Sequence, residues 1–203
     1  TLAGETHRVP TPFLVMATQN PIETEGTYPL PEAQVERFMM KVLVDYPTEE
    51  EEFVIVQRVT GEPVQVAGVV TPEQLQHLQQ QCRRGYVDPG LVHYAVKLVA
   101  ATRSPGRFGL AGIERFLTFG ASPRATIGLI EGARALAFLR GRDYALPEDV
   151  VDLVPDVLRH RLVLSYEALS EGQTPDSLIT TLMQAVPVPD KPLESHARVA
   201  TSA

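Results

Sequence analysis

Five times after residue 70, a proline directly follows a residue in helix-capping position: Thr71-Pro72, Asp88-Pro89, Ser122-Pro123, Leu146-Pro147 and Thr174-Pro175. Proline is tolerated at the first position of a helix, where its missing N–H has no partner to lose, and is costly further in. The recurrence predicts that nearly every segment beyond Thr71 is a helix. Gln74 stands three residues after Thr71 and completes a capping box. The helix after Ser122 is expected to put Thr126, Leu129, Ile130, Ala133, Leu136 and Ala137 on one stripe and to stop at Gly141. The next begins at Pro147, buries Val150, Leu153 and Val154, and is expected to break or kink at Pro155. The last, from Thr174, presents Leu178, Ile179, Leu182 and Val186; beyond Pro187 the chain becomes Pro-rich and polar and reads as a loose tail.

The first fifty residues follow another pattern. Phe13 to Thr18 is a short, nearly continuous apolar run closed by Gln19-Asn20-Pro21, as a strand buried on both faces of a parallel sheet reads. Val42-Leu43-Val44 is a second such run, and Pro31 to Met40 between them has helical spacing. The order strand, loop, helix, strand belongs to an α/β layer. Upstream, a turn at Gly4-Glu5 is expected to close a short hairpin, and downstream Glu49-Glu50-Glu51-Glu52 opens a helix that leads into a connector at Gly61-Glu62-Pro63.

At 203 residues and 44% hydrophobic composition the chain can bury a sizeable core, and no apolar run reaches the ~18 residues that would span a bilayer. A net charge of −7 argues against a surface built to neutralise a nucleic-acid backbone. One cysteine, Cys82, excludes an internal disulfide and a multi-cysteine metal site, which suits a reducing cytoplasm. Nothing at Thr1 reads as a secretion signal. Only three of the 18 basic residues are lysine, and Lys41, Lys97 and Lys191 follow Met40, Val96 and Asp190. A phosphate-cradling loop needs Gly-Lys, so this chain carries none.

Three polar features could carry chemistry. Asn20 ends the first apolar run, where open α/β sheets place ligands, and could orient a water or a phosphate oxygen; it could equally start an Asn-Pro turn. Arg37, beside Glu36, could pair with a neighbouring carboxylate or reach a neighbouring subunit's phosphates with its planar, permanently charged fork. Arg124 is at the second position of a helix, where a cation opposes the dipole by ~0.3–1 kcal/mol. Either it tolerates that penalty in solvent, or it helps the helix start to bind an anion. The other candidates are weaker. Val42-Leu43-Val44-Asp45 imitates a magnesium-binding strand but continues into Tyr46; Gly106, Gly109 and Gly112 lack nucleotide-loop spacing and are read as flexible; the five histidines form no ligand pair.

Together these features resemble a known family. FLVMATQNPIETEGTYPLPEAQVERF (residues 13–38) is similar to the stretch from sensor 1 to the arginine finger of MoxR-family AAA+ ATPases, and FGASPRATIGLIEGARALAFLRGRDYALPEDVVDLVPDVLRHRLVLSYEAL (residues 119–169) resembles the helical lid of that family with its sensor 2 arginine. The resemblance runs from about Gly4 to Pro189. It implies that Asn20 is sensor 1, Arg37 the arginine finger and Arg124 sensor 2. The family commonly has Asp where this chain has Glu36. The implied fold class is an α/β remnant of a P-loop AAA+ core followed by an all-α lid: the end of the core over 1–47, a helical or irregular linker over 48–85, the lid over 86–186 and a tail over 187–203. The family's P-loop and acidic magnesium motif lie upstream of the hairpin, so ATP and Mg2+ are expected to be bound mainly by residues outside this chain, which alone is expected to be inactive. The implied parent is a cytoplasmic, chaperone-like ATPase in a homo-oligomeric ring, a hexamer, with a von Willebrand factor A-type partner protein and no nucleic acid. The competing expectation is a nucleotide-independent helical module that docks such a partner.

Overall fold

The computed structural model describes residues 4–19 and 30–189. In chain order its elements are α1 (Glu32–Val35), α2 (Glu49–Thr60), α3 (Pro72–Arg83), α4 (Pro89–Arg103), a 3-10 turn (Pro105–Phe108), α5 (Ala111–Glu114), β1 (Leu117–Phe119), α6 (Pro123–Leu139), α7 (Pro147–Leu158), β2 (Val163–Leu164), α8 (Tyr166–Ser170) and α9 (Pro175–Ala185). All five Pro-led starts open helices. The chain divides into two units, one formed by residues 4–19 with 43–80, the other by residues 30–42 with 81–189.

In the first unit the helix ends are well specified. Thr48 and Glu51 form a reciprocal capping box at α2, with the Thr48 N–H donating to Glu51 Oε2 at 2.9 Å, and the four glutamates of the first turn sit at the positive end of the helix dipole. The box expected at Thr71 is present: the Thr71 N–H donates to Gln74 Oε1 at 2.9 Å and the Gln74 N–H to Thr71 Oγ1 at 3.2 Å. Gln76 on α3 donates to the Thr11 carbonyl at 2.8 Å. No described residue of this unit is fully buried. Leu75 and Leu78 of α3 are exposed, and Cys82 is half-buried.

The two runs expected to be buried strands are not strands here. Phe13 to Met16 and Val42 to Val44 are exposed and pair with nothing among the described residues. A strand is a pairing relationship as much as a sequence preference, and without a ladder on either side an apolar run stays unpaired whatever its composition.

In the second unit one core joins four helices. Leu91, Tyr94, Ala95, Leu98 and Val99 of α4 meet Leu129, Ala133 and Ala137 of α6, Val150, Val154, Val157 and Leu158 of α7, and Ile179 and Leu182 of α9. Burying a side chain of this size contributes roughly 1.5–3 kcal/mol. A smaller cluster of Phe116, Ala168 and Leu178 closes the far end beside the antiparallel pair β1 and β2, where Leu117 faces Leu164 and Phe119 faces Val163. The stripe on α6 is displaced around the helix from the one its periodicity predicted. Ala125, Gly128 and Gly132 are buried with Leu129, Ala133 and Ala137, whereas Thr126, Ile130 and Leu136 are half-buried. A Cβ on Gly132 would stand 2.9 Å from Leu153 Cδ1, so the glycine sets how near α7 can come.

Pro155 does not end α7, which continues to Leu158. Proline removes one intrahelical donor, and the burial of Val154, Val157 and Leu158 on either side of it outweighs that loss. The glycines expected to be flexible have defined places: Gly106 is within the 3-10 turn, Gly109 ends it with φ at 77°, and Gly112 belongs to α5. Gly120 meets a tighter constraint, because a Cβ there would lie 2.3 Å from the Thr102 carbonyl oxygen. Beside it the Thr102 hydroxyl donates to the Val99 carbonyl at 2.7 Å and accepts the Ala121 N–H at 2.9 Å.

Candidate functional site

The helix expected over Pro31 to Met40 is a single turn, α1; Glu36 and Arg37 form the turn after it. Four residues cannot sustain a helix alone. The chain from Glu36 to Lys41 is instead held through its main chain by three consecutive residues after α7. Arg159 donates to the Lys41 carbonyl at 2.6 Å. His160 Nε2 lies 3.0 Å from the Phe38 carbonyl, which makes that nitrogen the protonated one in the neutral ring. Arg161 donates to the carbonyls of Glu36 at 3.1 Å, Phe38 at 2.6 Å and Met39 at 3.1 Å, and to that of Val157. In return the Lys41 N–H donates to the Asp156 carbonyl at 2.8 Å. Arg159 is itself braced by Asp156 and by Asp176, the latter at 2.9 Å.

Arg161 is 6% exposed. Burial pushes its guanidinium below the ordinary value, against the opposing pull of the Glu36 charge and with added repulsion from Arg124. Burial also lowers His160, although the Phe38 carbonyl opposes it.

Arg124 sits in the first turn of α6, whose cap is Ser122: the Arg124 N–H donates to Ser122 Oγ at 3.2 Å. Its guanidinium lies 3.7 Å from Glu36 Oε2, with the two side chains 57% and 25% exposed. The dipole penalty noted from the sequence therefore meets a compensating charge. Arg37, the neighbour of that same Glu36, is exposed and pairs with no carboxylate among the described residues. The structure thus brings Arg37 and Arg124 into one unit around Glu36, whereas Asn20 lies outside the described residues. Arg159, His160 and Arg161 were not singled out from the sequence; their one signal is a basic triplet following an amphipathic helix in an acidic chain.

Elsewhere in this unit Asp149, fully buried at the start of α7, accepts from Arg142, Arg140 and the Leu146 N–H. That cluster fixes the α6–α7 corner. Leu146 has no side-chain acceptor, so Asp149 caps this helix start by accepting the Leu146 N–H.

At the start of α6 the Arg124 N–H is taken by Ser122 Oγ and the Ala125 N–H by the Ser122 carbonyl, so the partly exposed guanidinium beside Glu36, and not the helix end, is the group that can meet an anion. Among the described residues no group of three His, Cys, Asp or Glu could hold a metal ion. Among the described residues no helix is long and apolar enough to cross a membrane.

Residues 1–40 match the model of the ATPase family associated with various cellular activities (AAA), and residues 111–182 match the AAA lid domain. The chain is 48% identical over 188 residues to "Chaperone MoxR1" of Mycobacterium tuberculosis, covering 93% of this chain and 50% of that protein. It is 38% identical to "Uncharacterized protein YeaC" of Bacillus subtilis, over 93% of this chain and 57% of that one, and 34% identical to "Protein MoxR" of Paracoccus denitrificans, over 86% and 56%. A crystal structure of a candidate ATPase from Cytophaga hutchinsonii superposes with a TM-score of 0.88 at 40% identity, covering 94% of this chain and 58% of that one. The chain spans about half the length of the curated relatives it matches. Its largely helical build with a small sheet is that of part of an AAA+ core followed by a helical lid, and the chain belongs to the MoxR family of AAA+ ATPases.

Proposed function

We propose that these residues are the C-terminal part of a MoxR-type ATPase that couples ATP hydrolysis to chaperone-like remodelling or assembly of partner proteins. The reading is carried by Arg124 at the start of α6, which lies 3.7 Å from Glu36, the residue next to an Arg37 that is exposed and pairs with no carboxylate among the described residues. When bound, ATP and magnesium supply the phosphoryl group and its charge neutralisation, and residues outside this chain hold most of both. What the chain itself contributes is position and charge, the terms that dominate phosphoryl transfer.

In this reading Arg124 holds phosphate oxygens at the start of α6 and Asn20 orients the attacking water. Arg37 projects into the site of an adjacent subunit, where its fork stabilises charge on the transferred group. A trans-acting arginine makes activity depend on a closed ring, a hexamer here, and couples hydrolysis to the shape of the assembly. A von Willebrand factor A-type protein is the proposed partner.

The test is Arg37→Ala in the full-length ATPase. Phosphate release is expected to fall by about 10³-fold or more while binding of a fluorescent ATP analogue is unchanged. Wild-type turnover would remove the finger assignment.

A further inference from the structure

We propose that Arg161 is a positioning residue for Arg37, fixing the main chain on both sides of it to the end of α7 so that the arginine-bearing turn moves as part of the lid. The proposal rests on the reading of Arg37 as the finger.

Four observations lead to it. First, Arg161 is a buried cation whose hydrogen bonds all go to main-chain carbonyls, and none to a carboxylate. Burying a charge is costly unless its donors are used, so a guanidinium kept here for packing alone would be a poor choice. Second, two of the four acceptors, Glu36 and Phe38, are the residues directly before and after Arg37. Fixing those two peptide groups fixes the direction in which the Arg37 side chain leaves the backbone, while the side chain itself remains exposed. Third, α1 is a single turn, extended by bonds from the Arg37 N–H to the Gln34 carbonyl at 3.2 Å and from the Phe38 N–H to the Val35 carbonyl at 3.1 Å, and so short a helix does not hold its own place and takes it from α7. Fourth, Arg159 and His160 bind the same stretch at Lys41 and Phe38. The attachment therefore spans Glu36 to Lys41, far more than one contact.

The planar fork matters as well as the charge. A lysine ammonium is a single point of donation and cannot reach carbonyls spread over Glu36, Phe38, Met39 and Val157 at once. Arg161→Lys therefore keeps the cation and most of the volume while releasing the turn, which makes it a better test than a truncation of the buried side chain.

The experiment is a double-mutant cycle in the full-length ATPase with Arg37→Ala, Arg161→Lys and the combined variant, together with amide hydrogen exchange. Displacing a catalytic group by about 1 Å can cost about 10²-fold, so Arg161→Lys is expected to lower kcat by about that factor with KM for ATP within about twofold. Exchange should quicken at residues 36–41 and stay unchanged in α4 and α6. If Arg161 acts through Arg37, adding Arg161→Lys to Arg37→Ala costs nothing further. An additive loss in the combined variant, or wild-type kcat in folded Arg161→Lys, overturns the positioning role and leaves the finger standing. Wild-type turnover in Arg37→Ala alone overturns the finger reading instead, and the proposal with it.

Discussion

The Glu36 carboxylate lies 3.7 Å from the Arg124 guanidinium at the start of α6. Both groups are partly open to solvent, and such pairs contribute about 0–1 kcal/mol. A phosphate that engages Arg124 must therefore displace a weak competitor. Glu36→Gln is expected to tighten ATP binding by up to about fivefold, the equivalent of ~1 kcal/mol, in a fluorescence titration of the full-length protein. Weaker binding in that variant would mean that Glu36 orients Arg124 toward the nucleotide and does not compete with it.

A second prediction concerns acid stability. Burial acts to raise the pKa of Asp149, but its bonds from Arg142, from the Leu146 N–H and from Arg140 together outweigh it and hold the carboxyl below its ordinary value. Since the folded value is the lower one, the stabilisation is complete above the unfolded value and is lost as pH falls through the folded value. Asp149→Asn is expected to cost about 3 kcal/mol at pH 7, because it removes the counter-charge of the largely buried Arg142 and one of the two carboxylate partners of Arg140. Urea denaturation at a series of pH values below 5 should show a shallower acid decline in the variant than in the parent; parallel declines would assign the acid sensitivity to other carboxylates.

Gly120 gives a purely steric prediction. A methyl group there would lie 2.3 Å from the Thr102 carbonyl oxygen, a backbone atom with no rotamer to change. Gly120→Ala is expected to destabilise the unit by about 1–3 kcal/mol or more. For a domain of this size that lowers Tm by about 2–4 °C for each kcal/mol, readable by circular dichroism. An unchanged Tm would show that the chain from Gly120 to Ala121 can shift away from α4 without loss.

What the sequence made legible was local. Each Pro-led start is a signal complete within four or five residues, and Thr71 with Gln74 reproduced its capping box atom for atom. The burial of Leu178, Ile179, Leu182 and Val186 was equally readable from a 3.6-residue period. The failures all involve partners distant in sequence. The runs at Phe13 and Val42 have strand composition, but pairing depends on neighbours that composition does not contain. β1 and β2 are three and two residues long, too short to carry a period. The α6 stripe was drawn around Ile130 and Leu136 because they are apolar, whereas close approach to α7 selected the glycines. Of the site, Arg37 and Arg124 were visible as motif positions, but the triplet Arg159-His160-Arg161 works on carbonyls about 120 residues away, a relation with no sequence spacing to read.

The buried face of α6 alternates small residues, Ala125, Gly128, Gly132, Ala133 and Ala137, with the single long one, Leu129. Long side chains can absorb a displacement by changing rotamer, and small ones cannot. Through this face the start of α6, which carries Arg124, packs on the end of α7, and the residues just after α7 grip Glu36 to Lys41. Arg124 and the turn that carries Arg37 are thereby seated on one closely packed helix pair, and the closeness comes from side chains that are hardly there.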